Sequence, residues 1–403
     1  MSGVLAAIKQ QAKSYEDADF LDTVFGRFRD KAISGALPVV LFGAGSAGKG
    51  LLPTMRRHGV HPECFCETHP VNASLCDLPV ISFSDLLADY RNSLVVITTN
   101  TYRDEISRTL LAAGIAEERI LTISQPALYF YSYVDKLHWS EEHLIAHEAD
   151  LCRTHDLLAD QKSRNLLVSR IAMLSEGADF EAFNKFLARY SAAREDMGSV
   201  TSVEAYLQFN NDVIVLKDGE CFVDGGAFLG DSLAEFLKAC ERRSLTYEKV
   251  ICYEPDELVF EELRRTAADH RSISFRRQGL FSSSARVSFL GSDIAERGGS
   301  RILDAGHSSS GATTISTATI DEQLIDENVT LIKMDIEGAE PDALRGGIKT
   351  IRKCRPKLII SVYHNRDDIF EIPLLVHQMV PEYKLHIRHL SRLLGETTLL
   401  AVV

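Results

Sequence analysis

Three carboxylates stand close together in the segment LIKMDIEGAE, at Asp335, Glu337 and Glu340. They follow a short apolar run, and a buried carboxylate at a strand end is costly unless it is paired or hydrogen-bonded. A carboxylate in such a place can attract a positive ligand or take a proton from an attacking hydroxyl. Glu340 falls in the first turn of a predicted helix, where a negative charge is favoured by about 0.3–1 kcal/mol. We therefore expect chemistry at Asp335 and Glu337, and helix stabilisation from Glu340.

A glycine-rich turn, VDGGAFLGDS, carries two further acids. Asp224 stands at a predicted strand end, and Asp231 begins the following helix. A pyrophosphate bound here would meet both negative charges, whereas a cationic ligand would not. S-adenosylmethionine carries a sulfonium and an ammonium group and no phosphate, and it needs glycines so that the backbone can approach it closely. This turn therefore predicts S-adenosylmethionine, and the alternative is that Asp231 only caps its helix.

The next two predicted strands end in residues that suit the rest of this cofactor. Glu254, in ICYEPD, is placed to accept hydrogen bonds from both ribose hydroxyls, as acids at that strand end do in dinucleotide-binding folds. Gln278 and Gly279, after the third strand, would lie beside the adenine. A surface turn is the alternative for Glu254, but the combination on successive strands favours a cofactor site.

A second glycine turn, GAGSAG, lies nearer the N-terminus and has no acid at the end of its strand. Gly43, Gly45 and Gly48 fit the spacing of a dinucleotide-binding turn, and Glu67 ends the next predicted strand about 20 residues on. Backbone amides there could hold the phosphate of a nucleotide or nucleotide-sugar. Such turns also persist because they allow close helix packing, so both interpretations stay open.

The elements that must position these residues form two α/β alternations. We predict an amphipathic helix over residues 1–35, a parallel sheet over 36–126, a helical connector over 127–202 and a second α/β domain over 203–403. The second domain ends in YKLHIRHL and ETTLLAVV, with no helix between them. This pair must form a hairpin, so we expect the last strand to run antiparallel to its neighbours.

Over residues 203–403 the chain resembles the FkbM-type S-adenosylmethionine-dependent methyltransferases. The resemblance rests on VDGGAFLGDS, YEPD, TIDEQL, IKMDIEGAE and SVYHNRDDIFEIPLL, in this order, with DIEGAE as its most specific part. It implies the seven-stranded class I methyltransferase sheet, with an antiparallel last strand, and O-methylation of sugar or polyketide hydroxyls. The region before it looks like the smaller Rossmann-like α/β domains that precede sugar-modifying enzymes.

Residue by residue, the resemblance implies cofactor contact by Asp224, Gly226, Gly230 and Ser232, and ribose binding by Glu254. The complete predicted cofactor site comprises Asp224, Gly226, Ala227, Phe228, Gly230, Asp231, Ser232, Glu254, Pro255, Asp256, Gln278, Gly279 and Asp335. The resemblance places Asp335 next to the transferable methyl. Gly225 departs from the aliphatic residue that is common in the family.

Catalysis would need a base, because a hydroxyl attacks carbon effectively only when its proton is removed as the bond forms. Asp335 is the candidate for orienting the acceptor or the methionine ammonium. Glu337 is our first choice for the base, and His364, at the end of the next predicted strand, is the competing one. A divalent metal held by Asp335 and its neighbours stays open, but we assign no metal site, because no second carboxylate or carboxamide has an obvious placement that matches Asp335.

Composition narrows the function classes. The 403 residues carry a formal net charge of −13, which argues against nucleic acid or an anionic membrane surface as the main partner. No segment is apolar enough to span a membrane and no export signal is evident, so we expect a cytoplasmic protein. We predict O-methylation of a small-molecule or glycan hydroxyl and leave open a homo-oligomer. The alternatives are an NAD(P)- or nucleotide-sugar-binding oxidoreductase, or a sensor with an inactive methyltransferase domain.

Overall fold

The computed structural model describes residues 3–15, 20–99, 101–175, 179–193, 197, 200–266, 272–291, 301–302 and 312–403. The chain divides into two compact units, each built around its own sheet. One unit comprises Met1–Ala6, Leu144–Val168 and Arg189–Val403, and the other Ala7–His143 and Ser169–Ala188. The predicted connector, 127–202, is thus shared between the two units. The described residues contain no helix that is both long and apolar enough to cross a bilayer.

The smaller unit contains a six-stranded sheet in the order β3-β4-β2-β1-β5-β6. Its strands are β1 (Val39–Phe42), β2 (Cys64–Glu67), β3 (Ser74–Leu75), β4 (Leu78–Ser82), β5 (Leu94–Ile97) and β6 (Ile120–Thr122). All pairings are parallel except that of β3 with β4. The residues of β1 and β5 are buried throughout, as expected for a parallel sheet covered on both faces. The predicted alternation of strands and helices in this region is therefore present.

The helices of the N-terminal half are shorter than the sequence pattern suggests. They are α1 (Gly3–Lys13), α2 (Phe20–Phe25), α3 (Arg29–Ile33), α4 (Ser46–Arg57), α5 (Phe83–Asp89), α6 (Arg103–Ala112), α7 (Gln125–Leu137), α8 (Glu141–Ala146), α9 (Glu148–Leu157), α10 (Gln161–Met173), α11 (Phe180–Tyr190) and α12 (Val200–Phe209), with 3-10 turns at Gly26–Phe28 and Glu117–Arg119. The single helix that we predicted over 1–35 is divided into α1, α2 and α3. Gly26 has φ +48°, which a continuous α-helix cannot contain.

The larger unit contains a seven-stranded sheet in the order β16-β17-β15-β14-β7-β8-β9. Its strands are β7 (Glu220–Gly225), β8 (Tyr247–Tyr253), β9 (Ile273–Arg276), β14 (Leu331–Met334), β15 (Lys357–Ser361), β16 (Lys384–His389) and β17 (Thr397–Val402). The last strand, β17, pairs antiparallel with both β15 and β16, and the other pairings are parallel. The C-terminal hairpin and its antiparallel last strand are as the sequence predicts.

A second, four-stranded sheet was not predicted from the sequence. It consists of β10 (Gly279–Leu280), β11 (Arg286–Leu290), β12 (Arg301–Ile302) and β13 (Ala312–Ala318), in the order β10-β13-β11-β12. Its longer strands, β11 and β13, mix exposed and buried positions, and neither contains the apolar run that marks a buried strand.

The remaining helices of this unit are α13 (Asp231–Arg242), α14 (Glu257–Thr266), α15 (Ile320–Leu324), α16 (Glu340–Arg345), α17 (Ile348–Cys354) and α18 (Asp368–Met379). The core between the sheet and its helices is apolar and includes Phe222, Phe236, Leu331, Ile359 and Leu400. These apolar residues hold the central strands in place, and the polar groups of the candidate site lie at the carboxyl ends of those strands.

Candidate functional site

The predicted site residues follow neighbouring strands of the seven-stranded sheet. Asp224 and Gly225 end β7, Glu254 follows β8, and Asp335 follows β14. Strands β8, β7 and β14 lie side by side and are parallel. Their carboxyl ends therefore meet at one edge of the sheet, which is where ligands bind in open α/β folds.

The glycine turn after β7 packs directly on the backbone after β14. Gly226 has φ +71°, and a Cβ at this position would lie 1.9 Å from the carbonyl oxygen of Asp335. The backbone amides of Gly226 and Ala227 donate to the carbonyl of Tyr253, at 3.1 and 3.0 Å. Gly230, with φ +88°, ends the turn as the N-cap of α13. Only glycine has no Cβ that would clash with the Asp335 carbonyl. The turn after β7 can therefore lie directly against the backbone after β14.

A buried lysine that we did not anticipate neutralises Asp224. Lys333 lies opposite Asp224 in the sheet, and its Nζ is 3.2 Å from Asp224 Oδ1. The same Nζ donates to the carbonyl of Gly226 at 2.9 Å. Burial would lower the pKa of Lys333, but Asp224 and nearby carboxylates raise it, so the lysine is charged. Asp224 is 0% exposed, so its charge is balanced inside the sheet and does not face a ligand.

This pairing corrects the electrostatic reason that we gave for a cationic ligand. Asp224 no longer contributes free negative charge, because Lys333 offsets it. Asp231 and Asp335, both partly exposed, remain as the acids near the turn. Lys333 could have been suspected from the sequence, since a lysine inside the buried run LIKM needs a partner carboxylate.

Glu254 is held in place by two backbone amides. Its Oε2 accepts from Phe228 N at 3.1 Å, and its Oε1 accepts from Asp256 N at 2.9 Å. The side chain is buried, and burial raises the pKa of Glu254 to about 7 in spite of these hydrogen bonds. Each carboxylate oxygen has a second lone pair for a ligand hydroxyl.

The other predicted cofactor residues are distributed around the turn. Ser232 is buried in α13, and Asp256 accepts from the amides of Leu258 and Val259 at the start of α14. Gly279 is buried, and a Cβ there would lie 3.9 Å from Pro255 Cβ. The loops after β8 and β9 therefore adjoin, as the predicted adenine position requires.

The acids of DIEGAE meet His364, which follows β15. His364 Nε2 lies 3.3 Å from Asp335 Oδ1 and 3.6 Å from Glu337 Oε2. His364 Nδ1 lies 3.0 Å from Glu340 Oε1. The side chain of His364 is 5% exposed, whereas those of Asp335 and Glu337 are 24% and 36% exposed. The structure thus brings together all three predicted catalytic residues, and two of them are open to solvent.

Glu340 does more than stabilise its helix. It begins α16 as predicted, but it is 0% exposed and its Oε1 accepts from Ile336 N at 2.8 Å. Burial would lower the pKa of His364, yet Glu340, Glu337 and Asp335 raise it to about 10. Glu340 is therefore the buried counter-charge of His364. A carboxylate that only stabilised the first turn of a helix would not need to be buried.

A tyrosine links this cluster to one further acid, Glu396, and a second acid, Glu204, has a similarly raised pKa. Tyr363 Oη lies 3.0 Å from both Asp335 Oδ1 and Glu396 Oε1. Burial, followed by the charge of Asp335, raises the pKa of Glu396 well above its ordinary value. Burial likewise raises the pKa of Glu204, on α12, to about 7, although Ser391 donates to its carboxylate. Tyr363 lies within the motif SVYHNRDDIFEIPLL but was given no role, and Glu204 and Glu396 lie outside the motifs.

Three side chains of the cluster could serve as metal ligands. One ligand atom from each of Asp335, Glu340 and His364 lies within 4.8 Å of the others. We assigned no metal site from the sequence because no second carboxylate had an obvious placement that matched Asp335. Glu340 supplies that carboxylate. We missed it because we expected Glu340 only to interact with the helix dipole.

The N-terminal glycines are explained by packing. Gly43, with φ +123°, has Thr98 Oγ1 2.9 Å from where a Cβ would lie, and a Cβ on Gly48 would lie 2.2 Å from the Gly43 carbonyl oxygen. Gly45 is the N-cap of α4, and Glu67 ends β2. These positions agree with the predicted strand, turn and helix, and nucleotide binding there stays a prediction.

The comparisons agree with the C-terminal motifs. Residues 224–392 match the family model of the methyltransferase FkbM domain. The crystal structure of a methyltransferase FkbM from Methylobacillus flagellatus KT is similar in fold, with a TM-score of 0.60, 20% identity and 99% of each chain covered. No curated protein sequence matches the chain.

Two other solved structures are more distant. Aeropyrum pernix fibrillarin, in complex with natively bound S-adenosyl-L-methionine, has a TM-score of 0.31 and 13% identity over 50% of this chain and 76% of its own. An rRNA methylase from Streptococcus thermophilus has a TM-score of 0.29 and 12% identity over 49% of this chain and 90% of its own. Residues 224–392 of this chain therefore match the methyltransferase FkbM domain, and the solved FkbM methyltransferase shares their fold.

Proposed function

We propose that this protein uses S-adenosylmethionine to methylate a hydroxyl group of a small molecule, such as a sugar or glycan precursor. One observation carries the proposal: the Asp335 carbonyl packs against Gly226, so the carboxylates of DIEGAE begin beside the start of the glycine turn. A cofactor on the turn and an acceptor beside the carboxylates would therefore adjoin.

The turn suits S-adenosylmethionine in three respects. Gly226 and Gly230 allow close approach of the backbone, and Glu254 offers two fixed carboxylate oxygens to the ribose. Asp231 and Asp335 leave negative charge near the turn, which favours a cationic cofactor over a dinucleotide. When bound, the cofactor would supply an electrophilic methyl group on sulfur.

The three predicted catalytic residues differ in how far their side chains are exposed to solvent, so we assign them different roles toward the acceptor. Glu337 is the most exposed, so it is best placed to take the proton of an acceptor hydroxyl. Asp335, hydrogen-bonded to Tyr363, is fixed in position and orients that hydroxyl. His364 is buried with both ring nitrogens against carboxylates, so it balances their charge more readily than it reaches a substrate.

A direct assay tests the reaction. The full-length protein is incubated with S-adenosylmethionine and a panel of sugars, nucleotide-sugars and small alcohols, and S-adenosylhomocysteine and methylated products are measured by mass spectrometry. We expect equimolar S-adenosylhomocysteine and methyl ether with at least one hydroxyl acceptor. Methylation of amines or carbon acceptors alone would contradict the O-methylation proposal.

A further inference from the structure

The cluster of Asp335, Glu340 and His364 has the composition and spacing of a metal site. One ligand atom from each side chain lies within 4.8 Å of the others. Ligands at about 2.0–2.2 Å from a common ion are at most about 4.4 Å apart, so small side-chain shifts would suffice. We propose that these three residues bind a divalent transition-metal ion.

Unsatisfied buried atoms in the cluster point to a ligand. His364 is 6% exposed and Glu340 is 0% exposed. Among the described residues, Glu340 Oε2 and both ring nitrogens of His364 lack a hydrogen bond, although the ring nitrogens have ion-pair contacts. Buried polar atoms are normally satisfied. An ion bound here would replace the proton on one ring nitrogen, which is released to solvent, and would satisfy Glu340 Oε2.

The charge balance favours a cation in the same place. His364 carries at most one positive charge and faces the carboxylates of Asp335, Glu337 and Glu340. Lys333, whose charge also acts on Asp335, is paired with Asp224 inside the sheet. Negative charge therefore exceeds positive charge in a largely buried cluster, and a divalent ion would offset it.

His364 is oriented as metal-binding histidines usually are. Its Nδ1 faces Glu340 and its Nε2 faces Asp335 and Glu337. Whichever nitrogen binds the ion, the other keeps a carboxylate partner, which fixes the ring and increases its basicity. One imidazole with two carboxylates suits Mn²⁺ or Zn²⁺ better than Mg²⁺, which prefers oxygen ligands and water.

A role for the ion in catalysis rests on the proposed function, whereas its binding does not. Asp335 is the ligand that faces the crevice, so an ion there would lie beside the acceptor. It would lower the pKa of a coordinated hydroxyl and help Glu337 to remove the proton.

Metal titration of the full-length protein tests the site without any methyl transfer. Chelator-treated protein is titrated with Mn²⁺ under electron paramagnetic resonance and with Zn²⁺ and Mg²⁺ by calorimetry. We expect one Mn²⁺ or Zn²⁺ per chain and weaker Mg²⁺ binding. Glu340→Gln and His364→Asn should weaken binding by about 10- to 100-fold or more. Asp342→Asn, a partly exposed acid on the same helix, should bind like the wild type.

The outcomes separate this proposal from the methyltransferase proposal. Absence of a one-ion site in the wild type, or equal affinity in the ligand variants and Asp342→Asn, would overturn the metal site. If Glu340→Gln loses its native circular dichroism spectrum, Asp335→Asn replaces it, because Asp335 is more exposed. Failure of S-adenosylmethionine to bind a metal-loaded protein would instead count against the proposed function.

Discussion

At the scale of single residues, Glu254 gives the cofactor site a dependence on pH. Burial raises its pKa to about 7, so both protonation states are present near neutral pH. Ribose hydroxyls donate to the ionised form, and binding therefore requires loss of the proton. In the unliganded protein, folding stability depends on pH in the opposite direction. Burial favours the protonated form of Glu254, so the stability that its protonation contributes is lost as pH rises through about 7.

We predict that affinity for S-adenosylmethionine falls as the pH drops below about 7, by up to about tenfold per pH unit. Calorimetric titrations between about pH 5.5 and 8 measure the slope. Glu254→Gln should bind more weakly and with a flat profile in this range. Identical slopes in the variant and the wild type would show that another group governs the dependence.

Glu337 is the residue whose change should separate chemistry from cofactor binding. Glu337→Gln keeps the size of the side chain but removes the base, and loss of a general base typically costs about 10²- to 10⁴-fold in rate. We expect kcat to fall by that factor while affinity for S-adenosylmethionine changes little. Glu371→Gln, an exposed acid on α18, is the control. An unaffected kcat would move the base to His364 or to water.

At the scale of elements, the contact between two strand-end turns depends on one glycine. Gly226→Ala would place a Cβ 1.9 Å from the Asp335 carbonyl oxygen, so the turns must separate. Gly219 is a matched control, since its φ of +75° resembles the +71° of Gly226 but nothing lies within 4 Å of its Cβ position. Both variants carry the cost of a left-handed alanine, and only one carries the clash.

Chemical denaturation should therefore show Gly226→Ala to be less stable than Gly219→Ala by about 1–3 kcal/mol, the usual cost of overpacking. Gly226→Ala should also lose affinity for S-adenosylmethionine, which Gly219→Ala should keep. Equal stability of the two variants would mean that the strand ends can separate without cost.

The cross-strand pair of Lys333 and Asp224 couples β14 to β7. Removing one partner leaves a buried charge unpaired, which costs about 3–5 kcal/mol. We expect Lys333→Met to be destabilised by that amount, and the double variant with Asp224→Asn to recover at least about 1 kcal/mol. Denaturant unfolding of the four proteins of this cycle measures the coupling. Additive losses would show that the two charges do not interact.

At the scale of the whole molecule, apolar runs and glycine turns predicted the parallel strands and their order along the chain. The pairing of Lys333 with Asp224 could not be read directly, because the register of β14 against β7 is a tertiary property. The same holds for Glu340, whose burial depends on where His364 lies after β15. The four-stranded sheet escaped prediction because its longer strands, β11 and β13, are partly exposed and lack apolar runs. Motifs thus identified strand ends, and tertiary structure decided which charges are balanced.

The predicted domain boundaries and a nucleotide in the N-terminal sheet remain predictions. Packing against Thr98 and within the turn accounts for Gly43 and Gly48 without a ligand. Near the C-terminal turn, by contrast, Asp231 and Asp335 stay partly exposed and leave negative charge for a cationic ligand. The central claim is therefore that this chain binds S-adenosylmethionine at the ends of β7 and β8.

Calorimetric titration of the full-length protein with S-adenosylmethionine, S-adenosylhomocysteine and NAD(H) tests this claim most directly. We predict one S-adenosylmethionine per chain, competition by S-adenosylhomocysteine, and loss of binding in Gly226→Ala but not in Gly219→Ala. Binding of NAD(H) with no binding of S-adenosylmethionine would contradict the account.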